Sequence, residues 1–169
     1  SIQVPQADTI RQFKSKSYAL DKQNGGMVTY LEFKDKQNTI FYGDLAGNLG
    51  EFDFTAEQST LIYKGKSPVT WYNKKDSVAI ITEIGIMRPS ELEEGKLMLK
   101  MGEDTVSIQN GLHRPVHTLM NDLNNDGKNE FVMSEFGNQS GRLSLLFENE
   151  LGGYSKKVLL NLPGAIKTV

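Results

Sequence analysis

Residues 122–130 carry the side chains best suited to binding a metal ion. Oxygen-bearing side chains occur at alternate positions, and a carboxylate closes the stretch: Asp122, Asn124, Asp126 and Glu130. Ca²⁺ takes about 6–8 oxygen ligands, and alternate residues of a tight loop can converge on one such ion. The main-chain carbonyl of Lys128 would add a further oxygen, with the Lys128 ammonium turned to water. The spacing therefore predicts a calcium site in this loop.

The flanks of the loop determine which kind of calcium site it is. Gly127 permits the left-handed backbone that folds the loop around an ion. An EF-hand carries a bidentate glutamate at its twelfth position, but that position here is Met133. The flanks 115–121 and 131–136 are short, apolar and partly β-branched, which favours strands over helices. We therefore predict a calcium loop between two antiparallel strands; a metal-free turn rich in Asn, Asp and Gly is the alternative.

The region 111–147 resembles the FG-GAP/VCBS repeat. The residues that carry the resemblance are the pattern D-x-N-x-D-G-x-x-E at 122–130, the strand 131–133 and the motif E-F-G-N at 135–138. The resemblance covers about one repeat and is weaker elsewhere, where the loop spacing is absent, so one Ca²⁺ ion per chain is expected. It implies a calcium-binding β-propeller of the kind found in integrin-like and bacterial surface proteins. A secreted, periplasmic or cell-surface location follows from the same resemblance.

The elements that would position this loop are predicted to be strands throughout. Short runs rich in β-branched and aromatic residues alternate with polar turns, which is typical of an antiparallel all-β fold. The runs fall into three sets of four, at about 26–63, 68–108 and 115–160, with little or no helix. Three glycines recur at the third strand of each set, each two residues before a leucine: Gly47, Gly95 and Gly141. Because propeller blades repeat every ~40–50 residues, this periodicity predicts three antiparallel four-stranded blades of a β-propeller.

The two ends of the chain are predicted to differ from the blades. Residues 1–12 are polar and without pattern, which indicates a tail or linker before a partial propeller at 13–169. Residues 13–20 are expected to form a strand of a preceding blade, and residues 162–169 the start of a following one. Since propellers close with about 4–8 blades, the chain is predicted to be a fragment of a larger propeller. Open blade edges invite pairing with another chain, so self-association is expected.

Three further residues are predicted to line the propeller channel: His117, Glu83 and Glu135. His117 lies on a predicted innermost strand, whereas Glu83 and Glu135 occupy equivalent positions of two repeats. A catalytic pair of carboxylates would need one raised pKa; structural or solvated carboxylates are the alternative. His113 and His117 could together bind a transition metal, or they serve separate structural roles.

The composition restricts the class of protein. The 169 residues suffice for one domain, and the net charge of −2 lacks the basic excess expected of a nucleic-acid binder. The absence of cysteine excludes disulfides and thiolate chemistry, and no apolar run reaches the ~18–20 residues of a membrane span. The sequence favours a non-catalytic, calcium-stabilised module that binds a protein or carbohydrate ligand. The alternative is part of a polysaccharide-acting or redox enzyme, with its active site in the channel or in a further domain.

Overall fold

The computed structural model describes residues 16–18, 20, 27–34, 38–137 and 139–164. Within these ranges every regular element is a β-strand, and no helix occurs, hence no helix that could span a membrane. Twelve strands form three antiparallel sheets of four strands each. The predicted all-β fold with antiparallel four-stranded sheets is therefore confirmed. The predicted tail at 1–12 lies outside the described residues.

Each sheet takes its four strands consecutively from the chain, and neighbours in sequence are neighbours in the sheet. Sheet 1 contains β1 (Val28–Lys34), β2 (Thr39–Asp44), β3 (Asn48–Asp53) and β4 (Gln58–Lys64). Sheet 2 contains β5 (Val69–Lys75), β6 (Val78–Glu83), β7 (Gly95–Met101) and β8 (Asp104–Leu112). Sheet 3 contains β9 (Pro115–Asn121), β10 (Glu130–Glu135), β11 (Arg142–Glu148) and β12 (Tyr154–Asn161).

Local sequence explains most of the strands and turns. Along β7, buried residues alternate with half-buried ones, as expected when one face of a strand packs on a core. Left-handed residues occur in the hairpin turns, as tight antiparallel turns require: Asn38, Glu57, Asp76, Gly102, Asn125, Gly127 and Gly152. The strand predicted at Asp104–Ile108 continues to Leu112, because Gly111 at φ 67° and shifts in the β7–β8 register accommodate the apparent turn.

One hydrogen bond recurs at the end of the second strand of each sheet. The amide that follows the second strand donates to the carbonyl that precedes the first strand. The three bonds are Leu45 N–H to Met27 O at 2.9 Å, Ile84 N–H to Pro68 O at 3.0 Å and Phe136 N–H to Arg114 O at 3.1 Å. The residue before each donor is acidic: Asp44, Glu83 and Glu135. These recurring bonds establish which residues of the three sheets are equivalent.

Apolar side chains fill the spaces between consecutive sheets. Between sheets 1 and 2 the buried residues are Tyr30, Phe41, Leu49, Val69, Tyr72, Ala79 and Ile81. Between sheets 2 and 3 they are Ile80, Leu97, Leu99, Leu112, Met120, Phe131, Met133 and Leu146. Gly95 allows the connection into sheet 3 to pass close to β7, since a Cβ there would lie 2.2 Å from Pro115 Cδ and 2.8 Å from Leu112 O. The sheets are thus stacked in chain order, each with a core against the next.

The described terminal residues differ from the predicted flanking strands. Residues 16–18 and 20 form no strand; instead they cover part of the outer face of sheet 1. The Tyr18 ring lies 5.4 Å from that of Phe52, and the Tyr42 hydroxyl donates to Leu20 O at 3.2 Å. This apolar face is therefore covered in part by Tyr18 and Leu20, neither of which lies in a strand. Residues 13–15 and 165–169 lie outside the described residues, and Gly164 pairs with Gly137 in an isolated bridge.

Candidate functional site

The predicted calcium loop joins β9 to β10 in sheet 3. Asn121 and Glu130 are paired at its base, which confirms that it lies between two antiparallel strands rather than two helices. Asn125 and Gly127 both have left-handed backbones, with φ of 61° and 85°. A Cβ at Gly127 would meet no atom within 4 Å, so glycine is favoured there by its conformation alone. The chain therefore turns where the sequence predicts it.

The loop is folded around the oxygen atoms of its own side chains. Asp122 Oδ1 accepts the Asp126 amide at 3.1 Å, and Asp122 Oδ2 accepts the Gly127 amide at 2.9 Å. Asn124 Oδ1 also accepts the Asp126 amide, at 2.9 Å, and Asp126 Oδ1 accepts the Lys128 amide at 2.8 Å. These bonds bring the three side chains at alternate positions to the inner side of one turn, as the alternate spacing predicts.

Glu130 closes the loop from the strand side. Its carboxylate is buried, and Oε2 accepts the Leu123 amide at 2.7 Å. The first residue of β10 is thereby tied to the beginning of the loop. Glu130 is the one predicted ligand that the fold removes from water, so its position depends on sheet 3 more than on the loop itself.

The single lysine of the loop does not balance the negative charge of its carboxylates. The Lys128 amide, and next the Asn124 side chain, hold the pKa of the Asp126 carboxyl below its usual range. The Lys128 ammonium lies 3.3 Å from Glu148 Oε2 on β11; it is exposed, as predicted, but paired. Three carboxylates, Asp122, Asp126 and Glu130, thus occur within nine residues whose single cation is directed to another strand.

The donor set of the loop is chemically suited to a hard cation. All five predicted ligands offer oxygen, which Ca²⁺ prefers, and none offers nitrogen or sulfur. No three His, Asp or Glu side chains in the part of the chain that the structure describes form a metal-holding group. Asp122, Asp126 and Glu130 are thus not gathered into one three-carboxylate group, and the predicted set also depends on the Asn124 amide oxygen and the Lys128 carbonyl.

Glu83, which the sequence predicts to line a channel, is buried in a contact between strands. Its Oε1 accepts the hydroxyl of Tyr63 on β4 at 2.5 Å, and Oε2 accepts the hydroxyl of Ser67 at 3.1 Å. Ser67 lies in the connection from sheet 1 to sheet 2 and also accepts the Gly85 amide at 3.1 Å. Glu83 therefore ties the second strand of sheet 2 to the chain that enters that sheet.

Glu135 has the equivalent role in sheet 3 and is completely buried. Its Oε2 accepts the His113 amide at 2.8 Å, and Oε1 accepts the Ser144 hydroxyl at 2.6 Å. The Lys156 ammonium lies 3.2 Å from Oε1 and 3.4 Å from Oε2. Glu83 and Glu135 share no donor among these contacts, so the structure shows two separate structural carboxylates rather than a convergent pair.

The two histidines also have different surroundings. The His117 ring lies 4.0 Å from the Trp71 ring, and Trp71 lies 5.6 Å from Tyr30, so one aromatic residue from each first strand forms a row. His113 is buried, with Nε2 3.3 Å from Ser140 Oγ and 3.5 Å from Glu91 Oε2. These contacts favour separate structural roles over a shared transition-metal site.

Sequence reasoning missed the partners of the buried acids. Tyr63, Ser67, Ser144 and Lys156 are ordinary strand or loop residues, and nothing in their spacing marks them. The third equivalent acid, Asp44, was also missed, although it accepts both the amide and the side-chain NH₂ of Asn48 at 2.9 and 2.8 Å. The available signal was its place at the end of a second strand, three residues before the recurring Gly47.

Above pH ~10, the free energy of unfolding is expected to fall less steeply with pH in the Tyr63→Phe variant than in the wild type. Burial, and next the hydrogen bond to Glu83, raise the pKa of the Tyr63 hydroxyl above its usual value. The folded chain keeps a proton that the unfolded chain loses, so this contribution is intact below pH ~10 and is lost as the pH rises through the raised pKa. Urea unfolding between pH 8 and 11 measures both slopes; equal slopes would contradict the assignment.

Comparison with known proteins gives distant structural likenesses. No protein-family model matches the sequence. No curated protein matches it either. The computationally designed Ika4 protein is 17% identical with a TM-score of 0.49, over 90% of this chain and 81% of that one. The computationally designed Ika8 protein is 15% identical with a TM-score of 0.47, over 81% of this chain, which spans 36% of the length of Ika8.

Proposed function

We propose that the loop at 122–130 binds one Ca²⁺ ion and that the ion orders the β9–β10 hairpin. Asp122, Asn124, Asp126 and Glu130 would supply side-chain oxygens, and Lys128 its carbonyl, with water completing the shell. The observation that carries this proposal is the orientation of Asp122, whose two oxygens are held by the Asp126 and Gly127 amides. The loop therefore holds the Asp122 carboxylate against the backbone of the same turn that carries Asp126.

A bound cation would add favourable electrostatic interactions to this arrangement. The Lys128 amide, and next the Asn124 side chain, lower the pKa of Asp126 and so favour the charged carboxylate that a cation would bind. The Lys128 ammonium pairs with Glu148, and its charge contributes only the last of the causes that lower the pKa of Asp126. A divalent cation attracts all three carboxylates, and because it binds only the folded loop it stabilises the folded chain by mass action.

The wider proposal is that the three sheets are consecutive blades of a β-propeller in a secreted, periplasmic or cell-surface protein. The consecutive strand order and the bond that recurs at Leu45, Ile84 and Phe136 support it. The module would bind a protein or carbohydrate ligand without catalysis. No observation favours the enzyme alternative, since Glu83 and Glu135 belong to separate networks of donors.

Calcium is expected to raise the melting temperature of the wild-type chain relative to EDTA. Extracellular sites bind with a dissociation constant of roughly 10⁻⁴–10⁻³ M. About 10 mM free Ca²⁺ would then add about 1.4–2.7 kcal/mol, or about 3–10 °C for a chain of this size. Thermal unfolding measures the shift, and isothermal titration calorimetry measures the stoichiometry, expected to be one ion per chain. Asp126→Ala should abolish both signals.

Asp53→Ala is the matched control for this experiment. Asp53 accepts the Thr55 and Ala56 amides at 2.6 and 3.0 Å in the β3–β4 turn, so it makes the same kind of side-chain-capped turn without the ligand spacing. The Asp53→Ala variant should have a lower melting temperature than the wild type, but calcium should still raise its melting temperature by the same amount. A wild-type chain without a calcium shift, or an Asp126→Ala variant that retains it, would show that the loop is a metal-free turn.

A further inference from the structure

The interface between sheets 1 and 2 and the interface between sheets 2 and 3 share one arrangement. A residue of the second strand in one sheet meets a residue of the first strand in the next. Phe41 on β2 packs against Tyr72 on β5, with ring centroids 5.0 Å apart. Thr82 on β6 meets Thr118 on β9, with hydroxyl oxygens 2.9 Å apart. Each sheet therefore has two different packing faces, one for the sheet before it and one for the sheet after it.

The outer face of sheet 1 has this first-strand surface, and none of the described sheets packs against it. Leu31 pairs with Tyr42 in the register, as Tyr72 pairs with Ile81 and Thr118 with Met133, so these three first-strand residues are equivalent. Tyr72 and Thr118 are buried, but Leu31 is 60% exposed. Phe33, two residues further along β1, is 55% exposed. Tyr18 and Leu20 cover β2, β3 and β4 rather than this inner strand.

The outer face of sheet 3 has the complementary second-strand surface. Val132 on β10 is equivalent to Phe41 on β2, which is buried against Tyr72 of the next sheet. Val132 is only half-buried. Leu143 and Leu145 beside it on β11 are also half-buried, whereas Leu97, the equivalent of Leu143, is completely buried between sheets 2 and 3. Both faces therefore carry apolar residues that are more exposed than their equivalents between the sheets, although Ser134, the equivalent of Thr82, is completely buried.

We propose that a second copy of this chain covers both faces. Sheet 1 of each copy packs on sheet 3 of the other, with Leu31 against Val132, so that two chains form one closed ring of six sheets. A head-to-tail contact closes into a ring when its rotation allows, and six lies within the range of ~4–8 sheets that propellers close with. The inference rests on the propeller arrangement proposed above but not on calcium binding, so calcium titration and mass measurement can fail independently.

Sedimentation equilibrium and light scattering of the whole chain test the proposal. The wild type is expected to have twice the single-chain mass of 18.9 kDa. Leu31→Lys alone and Val132→Glu alone should each give single chains at concentrations where the wild type is paired. An equimolar mixture of the two variants should pair again, because lysine of one copy then meets glutamate of the other. Leu92→Lys, on a loop residue that is 55% exposed, should stay paired.

The outcomes separate the proposal from other forms of association. A wild type that stays single at ~100 µM, an assembly larger than two chains, or a mixture that does not pair would each overturn the ring, since measurable head-to-tail pairing requires a dissociation constant below such concentrations. Loss of pairing in Leu92→Lys would also overturn it. Far-UV circular dichroism identifies any variant that fails to fold, and Leu145→Glu then replaces Val132→Glu in the same mixture.

Discussion

Replacing Glu135 by Ala is expected to lower the free energy of unfolding by about 3–5 kcal/mol, the range for removing one member of a buried ion pair. The variant leaves the Ser144 hydroxyl, the His113 amide and the Lys156 ammonium without their acceptor. Ser144 is completely buried, so water cannot readily replace the carboxylate there. Urea unfolding measures the loss, with an unchanged m-value showing that the transition itself is the same.

A double-mutant cycle with Lys156→Met measures how much of this loss of stability comes from the Glu135–Lys156 ion pair. If Glu135 and Lys156 interact, Lys156→Met should cost less in the Glu135→Ala background than in the wild type, with a coupling of about 0.5–3 kcal/mol. Glu93→Gln is the matched control, because Glu93 also pairs with a cation, Arg142 at 2.7 Å, but at the surface. It should change stability by no more than about 1 kcal/mol. Equal losses for Glu93→Gln and Glu135→Ala would contradict the structural role of Glu135.

Leu97→Ala is expected to cost about 2–5 kcal/mol, as for other large-to-small substitutions in a packed core. Leu97 is completely buried between sheets 2 and 3, in contact with the cluster that includes Leu112 and Met120. Alanine removes three carbons at a site enclosed by two sheets, and neither sheet can collapse into the space without breaking its hydrogen-bond ladder. Denaturant unfolding at neutral pH measures the effect.

The control for this prediction is Leu92→Ala. Leu92 is the same residue type, five positions away, but it lies in the connection between β6 and β7 and is largely exposed. Its replacement should change the free energy of unfolding by less than about 0.5 kcal/mol. A loss at Leu92 as large as the loss at Leu97 would mean that sheets 2 and 3 do not share the core described here.

The turn at 122–128 is the feature that the sequence predicted best, because its structure is local. Asp122, Asn124 and Asp126 are brought together by amides only two to five residues away, so their spacing is sufficient to define the turn. Lys128 was expected to turn its ammonium to water, and its pairing with Glu148 was not foreseen. Glu148 lies on β11, and only the formation of sheet 3 brings it beside the loop.

Buried acids show the limit of sequence reasoning in this fold. Glu83 and Glu135 were correctly recognised as equivalent, but their hydrogen bonds to the incoming chain were not predicted. Polar residues are usually exposed, so a carboxylate in a sequence gives no sign of burial until its donors are known. The donors of Glu135 come from three different segments: the 113–114 connection, β11 and β12.

The sequence by itself determined the all-β class, the sets of four strands and the turn of the loop, because alternation, turn residues and short spacings act over a few residues. The tertiary structure decided which residues of different strands and sheets come into contact. It placed Tyr18 and Leu20 over sheet 1 without a strand, buried Glu135 beside Lys156, and left Leu31 exposed where Tyr72 is covered. These features depend on residues far apart in the chain, and only packing of one sheet on the next brings such residues into contact.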